Sequence, residues 1–181
     1  ANRAFRRPAT ALEAAGLVDV WSQSFEKSGD FTASIKDALL VVLTSPQFLF
    51  LIENSESPKP EALEDYELAS KLSYFLWNRP PDEQLLELAS AGTLSDRLDE
   101  QATRLIQDRR SWAFCREFTS QWLSLDKLDV LEVDRKRFGR LTRDTKVELR
   151  EEPARFLEHL LANDLSLRNL VASDFVVANE V

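Results

Sequence analysis

The residues best suited to chemistry lie together near the carboxyl end of the sequence. Four of them recur at helical spacing: Glu148, Glu152, Arg155 and His159. At about 100° per residue they fall within a narrow arc of one helix face. Two carboxylates and an imidazole (Glu148, Glu152 and His159) could supply part of a metal site, as in paired-iron helix bundles. Such a site needs Glu-x-x-His on two helices, and this chain has no Glu-x-x-His. The alternative is an ion-paired helix flank, in which Arg155 lies between Glu152 and His159.

The sequence offers few nucleophiles. Cys115 is the only cysteine; it shares a helix face with aromatic residues and has no His or Lys within one helical turn. A catalytic thiolate needs a cationic neighbour and access to substrate, so a buried structural thiol is favoured. His159 could join Asp164 or Asp174 in a Ser-His-Asp arrangement, but no Gly-x-Ser-x-Gly motif is present. One Cys and one His argue against catalysis within this piece.

Two runs of like charge lie between residues 126 and 143. The acidic run could suggest calcium, but it misses the one-three-five register of a calcium loop and lacks the central glycine, which favours a solvated loop. The basic run could bind an anion or a glycan sulfate, or could balance the adjacent acids. The acidic members are Asp126, Asp129, Glu132 and Asp134, and the basic members are Arg135, Lys136, Arg137, Arg140 and Arg143.

Two tryptophans are candidates for contact with a partner or a sugar. Trp77 comes at a helix end, before Asn78-Arg79-Pro80, and Trp112 comes at a helix start. Exposed aromatic rings stack on sugars or dock partners. The alternative, which we favour, is that both rings seal corners between helices.

The composition is typical of a folded acidic protein. Of 181 residues, 44% are apolar, which is enough to form a core. Lys plus Arg number 23 and Asp plus Glu number 31, so the net charge is −8. That charge argues against nucleic acid or an anionic membrane surface as a partner. Because the longest apolar runs, such as Leu39 to Leu43, are far too short to span a bilayer, we expect no membrane span.

The helical repeat of apolar residues sets the fold class. Strict alternation is absent, and only four glycines are available for turns. We therefore predict an all-α fold, an irregular helical bundle of about seven to eight helices with no significant sheet. Helix starts are predicted at Thr10 with Glu13 in a capping box, at Asp30 and at Asp82; helix ends are predicted at Gly29 and at Asn78-Arg79-Pro80-Pro81.

Three local expectations follow from the same pattern. The helix after Asp30 should bury one face, formed by Ile35, Ala38, Leu39, Val42 and Leu43. The last long helix should run from about Thr142 to Ala162, with Pro153 as a kink or a fresh start. At the amino end, Phe5 should anchor on the core while Arg6 and Arg7 pair with acidic helix ends.

The segment 54–60, NSESPKP, is the best linker candidate because it is polar and Pro-rich. It predicts a small helical domain of two to three helices at 1–53 and a larger one at 61–181. Both ends are typical of a fragment cut from a longer chain, and we expect the larger domain to be truncated at its carboxyl end.

Several sequence blocks together resemble a known family. They are Phe5-Arg6-Arg7-Pro8, residues 45–50 (SPQFLF), residues 66–77 (YELASKLSYFLW), Pro81-Asp82-Glu83, Gln121-Trp122-Leu123, and Asp174-Phe175 followed by Asn179-Glu180. Their order and spacing resemble two adjacent planctomycete-specific domains of unknown function, the first over about residues 1–53 and the second from about residue 61 to the end. In that family these domains sit in long exported proteins beside a haem-binding cytochrome c domain and carbohydrate-binding or other helical domains. The resemblance implies an extracytoplasmic location, periplasmic or secreted, and it brings no catalytic residues with it.

The function expected from these features is a non-catalytic helical scaffold or docking module. Its partners would be other domains of the same chain, with a basic or haem-bearing protein as a further partner. We expect no cofactor in this piece and haem elsewhere in the parent protein. Two alternatives stay open: part of an enzyme acting on polysaccharide or on a redox substrate, and a carbohydrate-binding module.

Overall fold

A computed structural model describes residues 1–53, 61–132, 134, 136 and 143–177, with backbone only at 143 and 144. Over these residues the fold is all-α, as predicted, with ten α-helices, three short 3₁₀ turns and no strand. The helices are α1 (Asn2–Phe5), α2 (Ala11–Ser28), α3 (Phe31–Thr44), α4 (Pro46–Leu49), α5 (Asp65–Trp77), α6 (Glu83–Ser90), α7 (Leu98–Gln107), α8 (Trp112–Trp122), α9 (Lys127–Val130) and α10 (Arg143–Ala162). The number exceeds seven to eight because α1, α4 and α9 are single turns of four residues.

The described chain divides into two compact units. The first comprises residues 1–73 and 80–98, and the second comprises 74–79 and the described part of 99–181. The division falls within α5. The predicted linker at 54–60 lies outside the described residues, so the predicted domain boundary stays a prediction.

A helical hairpin of α2 and α3 dominates the first unit. Thr10 and Glu13 form the predicted capping box at the start of α2, and the left-handed Gly29 ends it. Asp30 then accepts a hydrogen bond from the Ala33 N–H and starts α3. At this closed end Trp21 stacks on Phe25, with ring centroids 5.3 Å apart. The short turn therefore follows from local capping chemistry, as the sequence predicts.

The buried face predicted for α3 is largely wrong. Val42 is buried, but Ile35, Leu39 and Leu43 are exposed, and Ser34 is fully buried in their place. The buried arc of α3 is centred between Ser34 and Val42, part of a turn away from the predicted face. Three of the five residues predicted to be buried are therefore exposed.

The amino-terminal arm is held by an arginine clamp. Phe5 is buried, as predicted, and Arg7 forms a bidentate pair with Glu13 in the first turn of α2. Arg6 is held at the carboxyl end of a helix. Its guanidinium donates to the carbonyl oxygens of Gln47, Phe48 and Phe50, at 2.6, 3.2 and 2.7 Å. These carbonyls lie at the carboxyl end of α4, where helical C=O groups lack N–H partners and favour a cation.

A second clamp in the same unit fixes the start of the 3₁₀ turn Ser95–Arg97. The Asp65 carboxylate accepts hydrogen bonds from the backbone N–H groups of Leu94 and Ser95 and from the Ser95 hydroxyl. Burial raises the pKa of Asp65, but these three donors outweigh it and hold the pKa below its ordinary value. Asp65 therefore caps a helix start that lies 29 residues away in sequence.

The second unit is built on the packing of α8 against α10. Its core comprises Cys115, Ala154 and Leu157, flanked by the partly buried Trp112, Phe114, Leu161 and Leu170. Helix α10 is continuous through Pro153. Of the two alternatives, the one in which a new helix begins at Pro153 is therefore wrong. Proline leaves only the Leu149 carbonyl without its helical donor, and Leu149 is exposed, so water can satisfy that group.

Candidate functional site

The arc on α10 is the first candidate site. Glu148 and His159 are eleven residues apart, which places them about 16 Å apart along the helix axis. That separation is too great for one ion, and no group of three His, Cys, Asp or Glu side chains in the described part of the chain could hold a metal. Glu148 and His159 therefore share a helix face but cannot bind the same ion, and Glu152 lies between them.

The ion-paired flank is present with different partners. The Arg155 guanidinium lies 3.5 Å from a Glu158 oxygen and 3.8 Å from a Glu151 oxygen, rather than pairing with Glu152. It also lies over the ring of Trp112, 4.5 Å from the centroid. Arg155 thus leans toward α8, so its role is to cover an aromatic ring as well as to pair with carboxylates.

His159 occupies a structural corner at the end of α10. Its Nδ1 lies 3.3 Å from the Asn163 side-chain nitrogen, and its ring meets the Phe175 ring edge-on at 5.8 Å. Asp164 has the positive φ of 50° that ends the helix. Each of these contacts orders the return of the chain after α10.

Cys115 is buried at the α8–α10 contact, with 1% of its surface exposed. Burial, followed by the nearby Glu158 carboxylate, raises the pKa of the thiol to about 11. A thiol that stays protonated at neutral pH is a poor nucleophile. The geometry matches the structural thiol that the sequence favours.

The buried thiol makes stability fall at alkaline pH. Between about pH 9 and pH 11 the thiol ionises in the unfolded chain but stays protonated in the folded one, so raising the pH favours unfolding. We expect this group to remove about 1–3 kcal/mol across that range. Urea unfolding of the native chain and of Cys115→Ala at several pH values measures it, since other titrating groups cancel in the comparison. Parallel pH profiles for the two proteins would contradict the prediction.

The two tryptophans differ in how far their rings are covered. Trp77 is 1% exposed, and its indole N–H donates to the Leu105 carbonyl at 2.9 Å. Arg110 covers the ring at 3.4 Å from its centroid, and Trp112 is partly buried beneath Arg155. Trp77 therefore has no accessible face for a ligand, because it seals the junction of the end of α5 with α7.

A row of four aromatic rings, three of them on α8 and one on α5, lies partly at the surface of the second unit. Phe75, Phe114, Phe118 and Trp122 follow one another with centroids 4.9, 5.5 and 5.7 Å apart. Phe75, Phe118 and Trp122 are exposed. The i, i+4, i+8 spacing of three members is visible in the sequence, but their exposure depends on what packs against α8. The Phe114 and Phe118 rings are stacked on one another, so the row offers edges more than free faces.

A further group of exposed apolar side chains lies on the first unit. No charged residue occurs from residue 38 to residue 52. Within this stretch and the preceding turn of α3, the exposed large side chains are Ile35, Leu39, Leu40, Val41, Leu43, Phe48, Leu49, Phe50, Leu51 and Ile52. We call these ten residues the α3–α4 apolar surface. Exposed apolar patches of this extent mark interaction sites in soluble proteins.

The acidic and basic runs are only partly described. The Asp129 carboxylate pairs with Arg150 of α10, and Asp134 accepts from the backbone N–H of Lys136. Asp129 therefore tethers α9 to α10 instead of joining a calcium loop. Arg135, Arg137 and Arg140 lie outside the described residues, as do Asn179 and Glu180.

Comparison with known families decides the affiliation. Residues 63–181 match the model of the family described as "Protein of unknown function (DUF1592)". The chain belongs to the DUF1592 family. Residues 1–53 match the adjacent family described as "Protein of unknown function (DUF1595)". The resemblance to two adjacent domains of unknown function is thereby confirmed. Searches of curated proteins and of solved structures found no significant match.

The candidate surfaces of this DUF1592 chain divide between the two matches. The α3–α4 apolar surface lies in the DUF1595 match, whereas the aromatic row, Cys115 and the α10 arc lie in the DUF1592 match. Among the residues described, no helix is both long enough and apolar enough to traverse a bilayer.

Proposed function

We propose that this DUF1592 chain is a non-catalytic docking module of an exported multidomain protein. Its partner is a neighbouring domain of the same polypeptide, which covers the α3–α4 apolar surface. The observation that carries the proposal is that surface: Ile35, Leu39 and Leu43 have the spacing of a buried helix face but are 38%, 51% and 48% exposed. Covering such a face stabilises the complex by about 25 cal/mol for each Å² of apolar area removed from water.

Adjacency of two family domains in one chain supports a partner in the same polypeptide. When two domains are linked covalently, a surface of modest affinity is occupied because the effective concentration of its partner is high. An uncharged stretch from residue 38 to residue 52 suits a lasting contact of this kind, since the cores of interfaces are depleted of charge.

The partner that we favour is a haem-binding cytochrome c domain. Two points support it: the family resemblance of the sequence blocks, and the net charge of −8, which would attract a basic haem protein and orient its approach. The haem would belong to that domain and not to this chain. An exported, extracytoplasmic location follows from the same proposal.

Hydrogen exchange in the parent protein tests the docking role. We expect amides of α3 to exchange at least about tenfold more slowly in the parent polypeptide than in the 181-residue chain, because a docked domain adds to the local opening free energy. Leu39→Glu in the parent should abolish that protection, since docking would bury a carboxylate without a partner.

Val171→Glu is the matched control, because Val171 is an exposed apolar residue of the second unit. It should leave the protection of α3 unchanged. Equal exchange of α3 in the parent and in the chain would refute the docking role.

A further inference from the structure

A small cavity with both polar and apolar walls lies in the first unit, between the amino-terminal arm and α5. Its volume is about 190 Å³. Arg6 and Ser70 line it and are nearly buried, at 7% and 8% exposed. Lys71 and Tyr66 lie on the α5 side, and apolar side chains that include Phe5 and Phe50 complete the wall. The cavity therefore joins buried polar groups to aromatic surface, the combination found in small-molecule sites.

The charges that line this cavity balance. Arg6, Arg7 and Lys71 contribute three positive charges, and Glu53, Glu64 and Glu67 contribute three negative ones. The cations are engaged within the protein: the Lys71 ammonium lies 2.5 Å from a Glu53 oxygen, and Arg7 binds Glu13. A net ion would have to displace one of these pairs, so the site favours a neutral ligand.

The lining also provides both kinds of hydrogen-bonding group. The Glu64 carboxylate accepts, the Lys71 ammonium has further N–H groups to donate beside its pair with Glu53, and the hydroxyls of Ser70 and Tyr66 do both. A ligand that uses all of them must itself donate and accept from several positions around its edge. An uncharged polyhydroxylated ring does so, and its C–H face can lie against an aromatic wall.

We propose that this cavity binds one neutral sugar ring. The volume lies below the range of about 300–1,000 Å³ typical of drug-sized ligands, which suits a single ring rather than an oligosaccharide. The ring is a free monosaccharide or the terminal residue of a glycan. Phe50, Leu51 and Ile52 belong both to the cavity wall and to the α3–α4 apolar surface, so sugar binding is measured on the 181-residue chain, without the docked domain.

Titration calorimetry of the 181-residue chain with a panel of neutral monosaccharides tests the proposal. We expect saturable binding of at least one sugar with a Kd of about 1 mM, because a few hydrogen bonds and one stacked face provide modest binding energy. Glu64→Gln should weaken that binding about tenfold, because it replaces a charged acceptor by a neutral one at an exposed position where folding is not at risk. Methyl glycosides distinguish the two sources: if they bind as well as the free sugar, the ring can carry a glycan chain.

The matched control is Glu87→Gln, the same change on α6 at a residue that does not line the cavity, and it should bind as the native chain does. Lys71→Met is a second variant of the site and should also weaken binding. Tighter binding of a zwitterionic amino acid or a sugar acid than of any neutral sugar would overturn the proposal. Saturable binding of no sugar, or equal binding by native chain and both site variants, would overturn it as well.

Discussion

Trp77→Ala is expected to lower the free energy of unfolding by about 3–5 kcal/mol, the cost of deleting a fully buried large aromatic side chain. The indole is 1% exposed and donates to the Leu105 carbonyl, so its loss leaves a cavity and a buried acceptor without its donor. It also removes the ring between Arg104 and Arg110, whose guanidinium carbons lie 5.6 and 3.4 Å from its centroid. Urea denaturation followed by far-ultraviolet circular dichroism measures the change.

Two further variants separate the loss of side-chain volume, the loss of the indole N–H and the effect of burial. Trp77→Phe keeps most of the volume and loses the indole N–H, so we expect a smaller loss of about 1–3 kcal/mol. Trp112→Ala removes a partly buried ring and should cost less than Trp77→Ala. If the two alanine variants were equally stable, the burial that distinguishes the two tryptophans would be contradicted.

Arg6→Met is the second large effect, with an expected loss of about 2–4 kcal/mol. Methionine keeps much of the length of the side chain but donates to none of the three carbonyls that Arg6 binds, and those carbonyls end α4. Hydrogen exchange should show faster opening of α1 and α4, because the clamp joins them.

Arg3→Met in α1 is the matched control, since it removes the same charge from an exposed position of the same helix. We expect it to change the free energy of unfolding by about 0.5 kcal/mol or less. Equal losses in both variants would show that charge alone, rather than the carbonyl clamp, stabilises the arm.

Helix limits could be predicted from sequence because they depend on neighbours in the chain. Thr10 with Glu13, Asp30 and Asp82 each cap the helix predicted for them, and Asn78 ends α5 with a φ of 54°. The partners of these caps lie within four residues, so local chemistry decides the outcome.

Burial could not be predicted in the same way, because it depends on which elements meet. The apolar stripe of α3 predicts a buried face, but the buried residues are Ser34 and Val42 instead of Ile35, Leu39 and Leu43. The Asp65 cap joins residues 29 apart, and the Arg6 clamp joins residues more than 40 apart. Spacing along a sequence carries no signal for such pairs.

The candidate site shows the same division. The burial of Cys115 agrees with the structural thiol that the sequence favours, whereas the contact of His159 with Phe175 had no signal in the sequence. The arc of Glu148, Glu152 and His159 could not predict a shared ligand, because residues on one helix face can still be far apart along the helix axis. The cavity beside Arg6 had no sequence signal, since it is lined by the amino-terminal arm, the segment after α4 and α5.

Because Cys115 is buried, its reaction with a thiol reagent can report the opening of the second unit. A thiol reagent can reach this sulfur only when α8 separates from α10, so the labelling rate under native conditions gives the opening free energy of that contact. With one cysteine in the chain, every labelled molecule reports the same event. Comparing that rate with global unfolding shows whether the second unit opens by itself or only together with the first.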